Sequence, residues 1–84
     1  MKPVTIYSTR ICPYCMRAKA LLQSKHVPYT EFLVDLEPAR REEMETRSKR
    51  RTVPQIFIGE RHVGGYDELY VLDRRGELDK QLAD

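Results

Sequence analysis

Cys12-Pro13-Tyr14-Cys15 holds the chain's two cysteines, close enough in sequence to cycle between dithiol and disulfide. The chemistry open to such a pair is thiol–disulfide exchange, in which a thiolate attacks one sulfur of a disulfide. The motif lies where a β-rich stretch, Val4-Thr5-Ile6-Tyr7, gives way to a helical run beginning at Pro13. A C-x-x-C at a strand-to-helix junction reads as a redox motif. Cys12 falls at the start of that helix, where unpartnered backbone N–H groups and the positive end of the dipole favour an anion. Pro13 suits the first helical position because its missing N–H is not needed there. Arg10, Arg17 and Lys19 add positive charge nearby in sequence. Cys12 is therefore the expected nucleophile. Tyr14, Cys15, Ala18, Leu21 and Leu22 share one helical face, so Cys15 is expected on an inward apolar stripe where burial raises a thiol pKa. That suits a resolving thiol.

The elements needed to position this pair can be read from the rest of the chain. Its 84 residues are expected to form one domain, residues 1–84, with a modest core. Apolar residues make up 40% and charged residues 33%, and the net charge of +2 is too small to argue for nucleic acid or acidic partners. No leader-like apolar run follows the N-terminus, and nothing approaches the ~20 consecutive apolar residues of a membrane span. Two cysteines without an export signal point to the reducing cytoplasm.

Val4–Tyr7 is expected as a central strand, followed by a helix from Pro13 to about Ser24 and a strand over Thr30–Val34. A second helix begins at Glu37-Pro38 and ends near Lys49, with Glu42, Glu43 and Glu45 preceding Arg47, Lys49 and Arg50, an order that suits the dipole. Gln55–Ile58 and Arg61–Gly64 read as a hairpin about Gly59-Glu60. Asp67 is the expected N-cap of a third helix reaching Arg75, with Gly76 as its stop, and Leu78 and Leu82 suggest a last helical turn. The order β-α-β-α-β-β-α implies an α/β fold, a four-stranded mixed sheet flanked by helices. Its C-x-x-C lies at a strand end, where such sheets place their sites.

C-P-Y-C at 12–15, T-V-P-Q-I-F-I at 52–58 and G-G-Y-D-E at 64–68 together resemble the small bacterial glutaredoxins over essentially the whole chain. The resemblance implies a thioredoxin-like fold and a glutathione-dependent disulfide oxidoreductase. Glutathione would be co-substrate, with no tightly bound cofactor and no metal. Glutathione reductase would act indirectly, through glutathione, and the other partners would be disulfide or glutathionylated proteins. The protein would be a monomer with no membrane or nucleic-acid partner. The resemblance also places a cis peptide before Pro54 and pairs the Val53 backbone with the cysteinyl residue of glutathione. It adds Thr52 and Tyr14 to that groove and assigns Gly65, Tyr66 and Asp67 to the γ-glutamyl end. Two positions depart from the family pattern. Thr9 stands where a Lys is frequent, and Lys49 where a Gly closes the second helix. The glycine carboxylate is then left to Arg10, or to Arg50 or Arg51.

Plainer readings stand beside these. The cysteines could be buried structural thiols, and a zinc site would need two further ligands. His26 and His62 have no partner at ligand spacing and are expected on the surface. The basic run Arg47, Lys49, Arg50 and Arg51 reads as a solvated helix end. Rival functions are a redoxin served by thioredoxin reductase, a dimeric iron–sulfur carrier bridged through Cys12 and glutathione, and an adaptor with an idle thiol pair.

Overall fold

The computed structural model describes residues 1–83. In chain order the elements are β1 (Val4–Ser8), α1 (Pro13–Ser24), β2 (Thr30–Leu33), α2 (Pro38–Ser48), β3 (Gln55–Ile58), β4 (Arg61–Gly64), α3 (Tyr66–Arg74) and α4 (Leu78–Leu82). The strands form one sheet in the order β2-β1-β3-β4, with β1 and β2 parallel and the other pairs antiparallel. This is the expected α/β architecture, with β1 central because its alternating side chains are buried on both faces.

Successive strand residues point to opposite faces, and the two faces feed separate cores. Val4, Ile6, Ile56 and Ile58 pack under Ala18 and Leu22 of α1, Leu69 of α3, and Leu78 and Leu82 of α4. Tyr7 and Phe57 turn the other way, towards Val34 and Met44. Met44 is the one apolar side chain that α2 buries fully. The rest of its attachment comes from arginines laid on rings. The Arg40 guanidinium lies 3.8 Å from the Phe32 ring centroid and that of Arg47 lies 4.0 Å from Phe57. Arg47 also donates to the Tyr7 hydroxyl at 2.9 Å, and that hydroxyl donates to Glu43.

Arg47 is thus part of the α2–sheet joint rather than a merely solvated residue. The order of charges along α2 also differs from expectation. Its first turn holds Arg40 and Arg41 and no acid, because Pro38 starts the helix and places the glutamates in the middle. The two arginines are offset locally instead, by Glu43 at 3.0 Å and Glu45 at 3.3 Å. Lys49 takes the left-handed conformation that closes α2, with φ 61°. Ser48 completes the cap, its hydroxyl donating to the Met44 carbonyl and accepting from the Arg50 N–H.

Two connections set up the site. The β3–β4 hairpin turns at Gly59, with φ 58°, whose N–H is held by the Pro3 carbonyl. After β4, Gly64 and Gly65 lead directly into α3. A Cβ on Gly65 would lie 3.4 Å from the Pro54 carbonyl, so the start of α3 closely approaches the segment before β3. Among the described residues no helix is long and apolar enough to cross a membrane.

Candidate functional site

Cys12 is the N-cap residue of α1, and Pro13 occupies the first turn as expected. The Cys12 backbone is extended, which turns its sulfur back over the helix start, where it accepts the Cys15 N–H at 3.2 Å. An N-cap oxygen normally fills this place. Here a sulfur does, so negative charge on it meets an unpartnered helical donor and the positive end of the dipole. The same sulfur lies 4.0 Å from the Val53 carbonyl, to which its thiol can donate. Cys12 keeps a small exposed fraction, 8%, whereas Cys15 has none. Both thiols are free.

Cys15 lies with Ala18 and Leu22 on the buried stripe of α1. Burial first, and then its hydrogen bond with Cys12, push its thiol up to about 12, against the opposing pull of the Thr9 backbone and of Lys19. The two cysteines thus differ in kind. One keeps a small exposed fraction with its sulfur over a helix start, and the other holds its thiol fully buried in the core.

Tyr14 does not join that stripe. It is exposed, because it lies on the flank of the buried Cys15–Ala18–Leu22 line. Its ring stands 6.4 Å from that of Tyr66 and carries the Arg17 guanidinium at 5.2 Å. Tyr66 in turn neighbours Tyr70 at 6.0 Å, which makes a row of rings beside the nucleophile.

Beside this row runs a groove of roughly 200 Å³. One wall is Thr52, Val53 and Pro54, with a cis peptide between the last two. The other wall is Gly65, Tyr66 and Asp67 at the start of α3, and Tyr14 stands at the edge. Every residue expected in a binding role therefore meets here except Arg10. Arg10 lies apart, its guanidinium paired with Asp35 at 2.8 Å beyond the end of β2 and its backbone N–H on the same carboxylate at 3.3 Å. That pairing holds the Asp35 carboxyl below its ordinary range. Of the alternatives, Arg50 lines the groove, while the Arg51 carbonyl is engaged by Arg41 at 3.2 Å.

The cap of α3 also differs from expectation. Gly65, not Asp67, is the N-cap residue, and Asp67 lies within the first turn. Glycine offers no capping side chain, so Glu68 reaches back and accepts the Gly65 N–H at 2.7 Å. The same carboxylate oxygen takes Arg50 Nη1 at 2.8 Å. The Gly65 N–H first, and then Arg50, keep the Glu68 carboxyl below its ordinary range. Glu68 and Gln55, both in the groove wall, were not anticipated. A glutamate three places after a glycine that opens a helix was the available signal.

Gln55 explains the second unexpected position, that of His62. Gln55 is fully buried and donates from Nε2 to the Thr52 carbonyl and hydroxyl at 3.0 and 3.2 Å. Its carbonyl Oε1 therefore faces His62 Nε2, 2.7 Å away, and requires a proton on that nitrogen. His62 is half-buried against the Phe57 ring at 4.9 Å rather than on the surface. Burial, then the charge of Arg50, lower its pKa. His26 is exposed, as expected.

A family model described as Glutaredoxin matches residues 4–63. Glutaredoxin 3 of Escherichia coli (strain K12) is 57% identical over 82 residues, which cover 98% of this chain and 99% of that protein. The solution structure of glutaredoxin from Brucella melitensis superposes with a TM-score of 0.85 at 51% identity, covering 98% of this chain and 89% of that one. The crystal structure of a buckwheat glutaredoxin–glutathione complex gives a TM-score of 0.87 at 32% identity, covering 96% of this chain and 76% of that one.

Proposed function

The chain belongs to the glutaredoxin family and is a glutathione-dependent thiol–disulfide oxidoreductase, and on that premise we propose how its own residues divide the work. The Cys12 thiolate attacks a sulfur of the substrate disulfide and forms a mixed disulfide, and the departing thiolate takes up a proton. Two exits follow. Cys15 can lose its proton and attack the Cys12 sulfur, which expels the second substrate thiol and leaves a Cys12–Cys15 disulfide that two glutathione molecules reduce. Alternatively, a glutathione thiolate attacks a glutathione mixed disulfide on Cys12, which frees Cys12 and produces glutathione disulfide. In either route two electrons pass from two thiols to one disulfide.

The observation that carries this reading is the N-cap sulfur of Cys12, which receives the Cys15 N–H at 3.2 Å while facing the Val53 carbonyl at 4.0 Å. A leaving or attacking sulfur there meets a fixed backbone donor and needs no rearrangement to be stabilised. The buried, protonated Cys15 supports the resolving role, since it is withheld from attack until a mixed disulfide brings a sulfur to it.

Glutathione would lie along the groove with its cysteinyl backbone against Val53. Its γ-glutamyl carboxylate would lie at the start of α3, where backbone N–H groups favour anions, and its ammonium near Asp67. Thr52, Pro54 and Gly65 shape the walls, and Tyr14 and Tyr66 flank the ligand. Arg50 supplies the cation for the glycine carboxylate, a role for which Arg10 is engaged elsewhere. Disulfide-bonded and glutathionylated proteins are the substrates, and the reducing cytoplasm is the compartment that suits a free dithiol.

The test is NADPH consumption with a small glutathione mixed disulfide, glutathione and glutathione reductase, beside a parallel reaction driven by thioredoxin reductase. Turnover in the first system only, lost in Cys12→Ser, is expected. Undiminished turnover in Cys12→Ser would remove Cys12 from the nucleophilic role.

A further inference from the structure

Arg50 and Glu68 both line the groove and come from different elements, one just after the close of α2 and the other in the first turn of α3. Their contact is direct, with Arg50 Nη1 2.8 Å from Glu68 Oε1 and both side chains about half exposed, at 48% and 44%. The same oxygen also holds the Gly65 N–H at 2.7 Å. One carboxylate therefore occupies two of the donors that the groove could offer to a ligand's carboxylate. Its place is specific. A Cβ on Gly64 would lie 2.2 Å from Glu68 Oε1, so the carboxylate rests on a surface that only glycine leaves open.

We infer that Glu68 is an internal anion that latches Arg50 and thereby limits the affinity of the groove for carboxylate-bearing thiols. This rests on the reading of the groove as the glutathione site. In the free protein Arg50 is neutralised by Glu68. A ligand carboxylate engages it only by taking Glu68's place, so one ion pair is exchanged for another and the ligand gains the difference. The hydrogen bond from Gly65 is not part of that exchange, and it holds Glu68 at the helix start while Arg50 moves. Glu68 is accordingly a specificity-determining residue. It weakens retention of any small anionic thiol and so favours release of the product disulfide.

Glu68→Gln separates the two contacts, because a carboxamide oxygen can still accept from Gly65 while the charge that holds Arg50 is removed. The probe is S-methylglutathione, which keeps both carboxylates but cannot exchange, titrated into the reduced protein by amide chemical shifts. Those shifts also verify the fold of each variant. Glu68→Gln should tighten binding roughly two- to five-fold, the range of an exposed ion pair. Arg50→Gln should weaken it. In the Arg50→Gln background, Glu68→Gln should change affinity little, since no latch is left to release. Equal tightening in both backgrounds would assign Glu68 only a general field, and unchanged or weaker binding in the single variant would reject the latch outright. Shift changes away from the groove, or none in any of the four proteins, would reject the glutathione groove itself and the latch with it.

Discussion

The Cys15 N–H points at the Cys12 sulfur from 3.2 Å, while the Cys15 thiol is sealed in the core. One residue therefore serves the pair twice, with its backbone as a fixed donor to the nucleophile and its side chain as the reserve thiol. The two functions can be separated by substitution, because only the second depends on the side chain.

Cys15→Ser keeps the backbone donor, so the variant should still turn over glutathione mixed disulfides by the route that uses a second glutathione. It should lose most of its activity on protein disulfides whose release depends on an intramolecular attack. Parallel assays with a glutathionylated protein and a disulfide-bonded protein decide the matter. Equal loss on both would contradict the division of roles.

The raised Cys15 thiol makes stability depend on pH in alkali. An unfolded chain releases this proton near the ordinary 9.0, whereas the folded protein keeps it to about 12. Between those values the folded state binds the extra proton, so its contribution, fully present below pH 9, is lost as pH rises through the window. Urea midpoints measured at about pH 8 and about pH 11 should fall further in the wild type than in Cys15→Ser.

Met44 is the sole apolar side chain that α2 buries fully, so Met44→Ala should cost about 2–5 kcal/mol of stability by leaving a cavity beneath the helix. Thermal and urea unfolding would read this directly. A loss below about 1 kcal/mol would mean that the arginine–ring contacts alone hold α2 in place.

Gly59 and Gly64 both have positive φ, at 58° and 120°, but only Gly64 lies beneath a carboxylate. Gly59→Ala should cost about 1–2 kcal/mol for its left-handed backbone. Gly64→Ala should cost more, and it should also displace Glu68 from the Gly65 N–H. The comparison needs unfolding curves together with the Gly65 amide shift.

His62 should titrate below the ordinary 6.5, because burial and then the charge of Arg50 disfavour its imidazolium. Nitrogen NMR should find the proton of the neutral ring on Nε2, directed at Gln55. Arg50→Gln should move the titration upwards, and no movement would leave burial, with the lesser charge effect of Arg47, as the cause.

Local signals were enough to read the element order, the sheet and the dithiol. Strand alternation, Pro13, the Gly59-Glu60 turn and the Gly76 stop are each written within a few residues of where they act. The errors arise where position depends on distant packing. Helical phase placed Tyr14 inward, but the buried line of α1 runs through Cys15, Ala18 and Leu22 and leaves Tyr14 exposed on its flank. Asp67 has the chemistry of a cap, yet the chain enters α3 two residues earlier, at a glycine served by Glu68. Arg10 looked available until the parallel pairing of β1 and β2 brought Asp35 beside it. Nothing local to His62 signals its burial, because its partner Gln55 belongs to another strand. The motif at 52–54 did bring Thr52, Val53 and Pro54 to the groove beside the motif at 64–67, although nothing local joins the two segments.

The donor that steadies the Cys12 sulfur is a peptide amide, and this governs how the protein can vary. No point substitution that leaves a helix at Pro13 removes that N–H, except proline at position 15. The nucleophile is therefore insulated from drift in the surrounding side chains, and the lysine missing at Thr9 is a change such a site can absorb. The Arg50–Glu68 pair in the groove has no comparable insulation, because both residues meet through their side chains. Side-chain substitution in this chain should then alter which thiols the groove holds, and for how long, before it alters the backbone donor at the sulfur.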